Sequence, residues 1–158
     1  MNEPDFLDDE IVVRSVALGD LEAIVHIDAR NVGRRRDEFL KLQLKRACAD
    51  TGIGISLAAE LDGAVVGFLL ARLYYGEFGV TEKVAVMDVL GVHPDFQGRH
   101  VGARLIDQLR TNLCGLGIKT LQTEVRWSDT DLMAFFHHEG FTLAQRLCLD
   151  LDLERTRP

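Results

Sequence analysis

Hydrophobic and polar positions along this 158-residue chain change period several times, and each change marks an element. Ile11 to Val16 alternates and is rich in β-branched residues, which predicts a first strand. Gly19-Asp20 then precedes Leu21, Ile24, Val25 and Asp28 at helical spacing, with Asp20 placed as an N-cap. A second helical pattern runs from about Arg36 to Asp50, carries Leu40, Leu44, Ala47 and Cys48 on one side, and stops near Thr51-Gly52. Residues Ile55 to Leu61 and Ala64 to Leu73 read as strands two and three, joined by Asp62-Gly63, a dipeptide suited to a type I′ hairpin. The nearly continuous apolar run through Val65, Val66, Phe68, Leu69 and Leu70 predicts a third strand covered on both faces.

After a looser segment from Tyr74 to Lys83, Val84 to Val92 reads as a fourth strand that stops at Pro94. A third helix opens near Gly102, keeps Val101, Leu105, Leu109 and Leu113 in register, and is punctuated by Gly115 and Gly117. Thr120 to Val125 is the fifth strand. Asp129 caps a fourth helix bearing Leu132, Met133, Phe135 and Phe136, which ends at Gly140, and Phe141 to Asp152 supplies one or two further strands. The expected fold is α/β, a mixed sheet of six to seven strands with helices on both faces, forming one domain over residues 11–158.

Charge changes the picture less than its total suggests. The chain has 25 acidic and 18 basic residues, a formal charge of −7. Glu3, Asp5, Asp8, Asp9 and Glu10 lie in the first ten residues, which leaves 20 acids against 18 bases and a net charge of −2 for the body. The acidic start is expected to be a mobile tail, because it lacks apolar surface to bury. No broad cationic face is available for nucleic acid or an anionic membrane. The start also lacks the basic-then-apolar profile of a signal peptide, so a cytoplasmic domain is expected. Arg34, Arg35, Arg36, Lys41, Lys45 and Arg46 form a local basic segment, either a solvated helix face or one wall of an anion pocket. Cys48, Cys114 and Cys148 are widely spaced among apolar neighbours and read as reduced core thiols.

Candidate chemistry concentrates between Val89 and Leu105. An apolar strand enters a turn containing Gly98, and the turn opens an amphipathic helix whose first turn holds Gly102 and Ala103. Small residues there let backbone approach a ligand, and unpaired amides with the helix dipole favour a phosphate or pyrophosphate. The segment has neither the Gly-Lys-Ser/Thr of a Walker loop nor the glycine spacing of the dinucleotide fingerprint. Among the carboxylates, Asp88 on the fourth strand shares a face with Val86, Leu90 and Val92 by simple alternation. It is either a cleft-lining base or a paired structural acid. Glu60 and Glu124 are weaker candidates, His93 belongs to a turn, and Trp127 is either a substrate contact or a packing residue. A metal site is not expected: His137 and His138 are adjacent, so they diverge by about 100° on a helix. No serine nucleophile elbow occurs, and Cys114 follows an apolar helix face.

The run Gln97-Gly98-Arg99-His100-Val101-Gly102 resembles motif A of the GNAT superfamily of acyl-CoA-dependent N-acetyltransferases, a strand followed by Gln/Arg-x-x-Gly-x-Gly/Ala at a helix start. The resemblance extends to Val13-Arg14 with Asp20–Ile24, to the hairpin around Ala59-Glu60 and Val66-Gly67-Phe68, to Val92-His93-Pro94, and to Phe135–Phe141. It implies a mostly antiparallel sheet that splays between strands four and five. It further implies that acetyl-CoA inserts there, with the pantetheine on Leu90, Gly91 and Val92, and the pyrophosphate on the amides of Gly98, Arg99, His100, Val101, Gly102 and Ala103 beside Gln97. Arg99 and Arg104 are offered as added charge. The implied activity is acetyl transfer to a primary amine, on a small molecule or a protein, with no metal, no nucleic acid and no membrane; a homodimer is compatible with it.

Two positions depart from the family pattern. His100 stands where the family has its central glycine, and helical dihedrals are expected to accommodate it. Phe136 stands where the family often has a tyrosine that protonates the departing thiolate. As a cofactor-binding residue it is expected to pack against the thioester, but it donates no proton, which leaves solvent, Tyr74, Tyr75, His137 or His138 for that step. The alternative function is therefore a CoA-binding sensor or interaction domain without turnover.

Overall fold

The computed structural model describes residues 10–49, 54–75 and 81–155. The chain divides into two compact units, Met1–Glu124 and Val125–Pro158. The first contains β1 (Val12–Ser15), α1 (Leu21–Val32), α2 (Asp37–Ala49), β2 (Leu57–Leu61), β3 (Ala64–Tyr75), β4 (Lys83–Val92), α3 (Val101–Gly115) and β5 (Leu121–Gln122); the second contains α4 (Thr130–His138). The strands form one sheet in the order β1-β2-β3-β4-β5, antiparallel except for the parallel β4–β5 pair. The Asp62-Gly63 hairpin has positive φ at both residues, 50° and 77°, as a type I′ turn requires.

Six successive residues of β3, Val66 to Ala71, are buried, because helices cover both faces. Phe68 and Leu70 pack with Ile24, Val25 and Ile27 of α1, Leu40 and Leu44 of α2, and Val89 of β4. Gly67 points to the other face, where a Cβ would lie 2.7 Å from Val101 Cγ1 and 3.3 Å from Leu105 Cδ1, so the absent side chain lets α3 sit down on the sheet. α1 stops at Gly33, which has a left-handed φ of 84° and whose amide donates a hydrogen bond to the Ala29 carbonyl. The buried Asp28 is paired with Arg36, whose Nε and Nη2 donate at 2.9 and 2.6 Å and so couple α1 to the approach to α2.

Several expectations are corrected. The sheet has five strands among the described residues, not six to seven: β5 is two residues long, and Phe141–Asp152 contributes no strand. That segment has the alternation of a strand, yet Leu147, Leu149 and Leu151 are exposed, and alternation creates no ladder without a partner. Asp20 makes no side-chain cap to α1; its carboxylate accepts the Ala17 amide at 2.7 Å and both Nη groups of Arg14 at 2.8 Å. Cys114 and Cys148 are exposed rather than core residues, whereas Cys48 is half-buried with burial raising its thiol pKa. The helix end at Thr51-Gly52 and the acidic tail through Asp9 lie outside the described residues.

Candidate active site

The site is built on an irregularity in β4. Leu70 pairs with Val89 and Ala71 with Met87, so Asp88 is an extra residue with no partner on β3. The bulge turns two consecutive side chains, Asp88 and Val89, to the face covered by α1 and α2. It also shifts the alternation beyond it: Leu90 and Val92 pair with Leu69 and Gly67 and share their face with α3, while Gly91 pairs with Phe68. The expected sharing of one face by Asp88, Leu90 and Val92 is therefore wrong, because a period of two does not survive an inserted residue. Gly91 lies under Phe68, where a Cβ would come within 2.6 Å of the ring.

Asp88 borders a cavity of about 540 Å3 whose wall includes Ala17, Gln43, Arg46, Cys48 and Arg72. The Arg72 Nε donates to Asp88 Oδ2 at 3.1 Å. The Asp88 side chain is only 21% exposed, and this burial pushes its carboxyl above the usual range, against the pull of Arg72 and Arg46; the like charge of Glu124 pushes the same way as burial. Tyr74, on the same face of β3 as Arg72, donates its hydroxyl to Gln122 Oε1 of β5 at 2.8 Å.

Past the bulge, β4 has no ladder partner on the β5 side among the described residues. β5 pairs only at Ala85↔Leu121 and Val86↔Gln122, with Thr123 Oγ1 adding one bond to the Met87 carbonyl at 3.1 Å. The His93 amide donates to Val66 on the β3 side, so alternation turns the amide and carbonyl of Leu90, and the amide of Val92, toward the open edge. Gly91 presents its own polar groups to β3; its role at this edge is to accommodate Phe68. The Val92 carbonyl accepts Asn31 Nδ2 at 2.9 Å and Gln97 Nε2 at 3.3 Å, and Gln97 Nε2 also reaches Asn31 Oδ1 at 3.2 Å. Gln97 thus ties the strand exit to α1.

The following turn leads into α3, whose first two residues, Val101 and Gly102, are buried. Gly98 and His100 have φ of 78° and 62°. His100 is thus left-handed rather than in the ordinary helical region, a conformation that histidine adopts more readily than most residues. The first helical bond of α3 runs from the Arg104 amide to the His100 carbonyl, so the amides of Val101, Gly102 and Ala103 precede the helical ladder. Arg99 is exposed, with its guanidinium 5.3 Å from the Phe96 ring centroid. Arg104 instead donates to the Ile11 carbonyl at 2.9 Å and secures α3 to the start of β1.

The other candidates fall elsewhere. Glu60 is bound to Arg14, which also holds Asp20, so this carboxylate belongs to the β1–β2 end of the sheet. His93 accepts the Asp95 amide on Nδ1 at 3.1 Å and shapes the turn. In the second unit Phe136 is buried, with its ring centroid 5.0 Å from that of Phe141, and Trp127 is 89% exposed rather than packed. Among the described residues no group of three or more His, Cys, Asp or Glu is placed to hold a metal. Sequence reasoning missed Arg72 and Asn31; a single charge inside the otherwise apolar Ala64–Leu73 run was the only signal for the first.

Among the described residues, the sheet edge at Leu90 has no ladder partner on the β5 side, and the first amides of α3 precede the helical ladder. Residues 21–141 match the acetyltransferase (GNAT) family, and the chain belongs to that family. Solved structures agree on the fold. An aminoglycoside N-acetyltransferase, AAC(6')-Iy, solved with CoA, superposes with a TM-score of 0.75 at 17% identity, covering 90% of this chain and 95% of that one. Ard1 from Thermoplasma volcanium gives 0.71 at 20% identity over 85% and 84% of the two chains. A ribosomal-protein-alanine N-acetyltransferase from Brucella melitensis biovar Abortus 2308 gives 0.70 at 18% identity over 90% and 99%.

Proposed function

We propose that this chain transfers the acetyl group of acetyl-CoA to a primary amine by direct attack. The observation that carries this reading is the layout of β4: an open backbone edge at Leu90 lies two residues beyond a bulged carboxylate, Asp88, that borders a cavity. The backbone of Leu90 and Val92 pairs with the amides of the pantetheine arm, and Gly91 keeps that part of the strand seated on Phe68. The amides of Val101, Gly102 and Ala103 receive the pyrophosphate, with Gly98 and His100 shaping the turn, Arg99 at its rim and Gln97 holding the turn to α1.

Bound acetyl-CoA supplies the electrophilic thioester carbonyl. The chain's part on the other side is to admit the amine and take its proton. Asp88 is suited to this, because partial desolvation raises its pKa and makes its carboxylate a stronger base than a fully solvated one. The C–N bond forms, the C–S bond breaks and its electron pair leaves with sulfur. With a reference thiol pKa of about 8.5, the thiolate departs near neutral pH without a protein acid. That accommodates Phe136, which has no proton to give. Glu60, committed to Arg14, has no role in this scheme.

The acceptor is an amine on a small molecule or on a protein, since neighbours described as aminoglycoside and as ribosomal-protein-alanine acetyltransferases share this fold. Thiol release from acetyl-CoA is measured with aminoglycosides, amino acids and peptides bearing a free N-terminus, with product mass as a check. Amine-dependent release with an acetylated product supports transfer. Binding of acetyl-CoA without release by any amine favours the second reading, a CoA-dependent sensor, for which the absent hydroxyl at Phe136 is the motivating feature.

A further inference from the structure

The basic residues between Arg34 and Arg46 have separate fates. Arg35 is held by Asp37 and Arg36 by the buried Asp28, whereas Arg46 makes no hydrogen bond or ion pair with any described residue and lines the cavity beside Asp88. Arg72 enters the same cavity from β3. Its Nε is committed to Asp88 Oδ2 and its guanidinium lies 5.5 Å from the Tyr74 ring centroid, two contacts that hold the group in place, but neither Nη has an acceptor among the described residues. The charged side chains of this wall are therefore two guanidiniums and one carboxylate. Burial raises the Cys48 thiol pKa and so keeps it neutral, and Glu124, whose charge reaches Asp88, is not part of the wall.

We propose that the acceptor is a small zwitterionic amine of the free amino acid kind, whose own carboxylate is taken by Arg46 and the Nη groups of Arg72 while its amine faces Asp88. The inference rests on the acetyl-transfer reading and narrows its acceptor. A wall with more positive than negative charge attracts a carboxylate and repels a polycation such as an aminoglycoside. A guanidinium with unused N–H donors is the side chain best shaped to grip a carboxylate. Because Arg72 serves Asp88 through Nε and the acceptor through Nη, the two carboxylates lie side by side, and an amine that is to reach Asp88 must sit close to its own carboxylate. An amine and a carboxylate on one carbon meet that condition. The volume, about 540 Å3, is that of a small-molecule site. The phosphates of acetyl-CoA have their own proposed place at the start of α3, which leaves both arginines to the acceptor. The reaction balances as before: nitrogen bonds the acetyl carbon, its proton passes to Asp88 and the thiolate leaves.

The test is thiol release from acetyl-CoA by the full chain with the common amino acids, each beside its own α-amide, and with an aminoglycoside. The amide keeps the side chain and loses the negative charge. Its amine is the less basic and the more often unprotonated, so a preference for the acid does not come from the amine itself. The best amino acid is expected to exceed both its amide and the aminoglycoside by about tenfold or more in kcat/KM, the scale of one hydrogen bond to a charged group. In Arg46→Gln, with unchanged far-ultraviolet circular dichroism, KM for the acid should rise about tenfold while kcat stays within about twofold, the mark of lost binding rather than lost chemistry. Arg46→Glu should bring the acid down to its amide or below. Amides used as well as acids, an aminoglycoside preferred to both, or an acid preference that survives Arg46→Glu overturns this inference and leaves acetyl transfer standing. Absence of release with every amine, while acetyl-CoA still binds, overturns the transfer reading and this acceptor with it.

Discussion

Arg72 on β3 reaches Asp88 across the strand boundary, its Nε 3.1 Å from Oδ2, at the one residue of β4 that has no register partner on β3. The ion pair does not fully compensate for the loss of water around the carboxylate, so Asp88 is held above the ordinary range while lining the cavity beside Arg46. A structural acid optimised for pairing would show the opposite shift, as Asp20 does in the bidentate grip of Arg14.

Asp88→Asn separates stability from activity. The raised pKa means that the folded state favours the neutral carboxyl. That contribution is therefore present at low pH and is lost as the pH rises through the folded value. At neutral pH the amide is expected to raise the melting temperature while lowering kcat by about 10²–10⁴-fold, the usual range for loss of a positioned base. The acid limb of the pH–rate profile should disappear with it. Unchanged kcat, or a melting temperature that falls as the natural acid is removed, contradicts this role.

At the cradle, two residues should respond differently. Gly102→Glu sets bulk and negative charge at the start of α3, where the proposed site receives the pyrophosphate, and should abolish acetyl-CoA binding measured by calorimetry. His100→Gly keeps the left-handed turn and should retain binding. His100→Val forces a β-branched residue to φ near 62° and should cost about 1–2 kcal/mol in chemical denaturation. Equal affinity in all three removes this turn from the site.

The pair Arg36–Asp28 supports the fold beneath the site. Asp28 is 4% exposed, and Arg36→Met leaves its carboxylate buried without a counter-charge. The expected loss is about 3–5 kcal/mol in urea unfolding. The double change Arg36→Met, Asp28→Leu should recover most of it, because it removes the unpaired charge as well.

For Asp20 the sign is the reverse of that for Asp88. The hydrogen bonds from Arg14 lower its pKa, so its contribution is present above the unfolded carboxyl's range near 3.9 and is lost as the pH falls through the lower folded value. Asp20→Asn should therefore lower the melting temperature clearly at about pH 7 and much less at about pH 2 to 3. A loss of the same size at both values would mean that the pair contributes by packing rather than charge.

Much of this architecture was legible because local rules agree with tertiary ones. Asp62-Gly63 needs positive φ twice, the four-residue spacing from Val101 to Leu113 faces α3 onto the sheet, and Asp129 accepts the Leu132 amide as an N-cap. The bulge was not legible, because Val86, Asp88, Leu90 and Val92 look like plain alternation and only pairing with β3 exposes the extra residue. The open edge was reached through family resemblance, since no single-strand pattern says where a neighbour stops. The C-terminal alternation predicts further sheet for the same reason: periodicity describes a face and not its partner.

The central claim is that the open edge of β4 and the start of α3 form one acetyl-CoA site, and the most direct measurement is the melting temperature of the natural chain with acetyl-CoA or CoA at millimolar concentration. Both ligands are predicted to raise it, and the rise should vanish in Gly102→Glu. A melting temperature unmoved by either ligand contradicts the account.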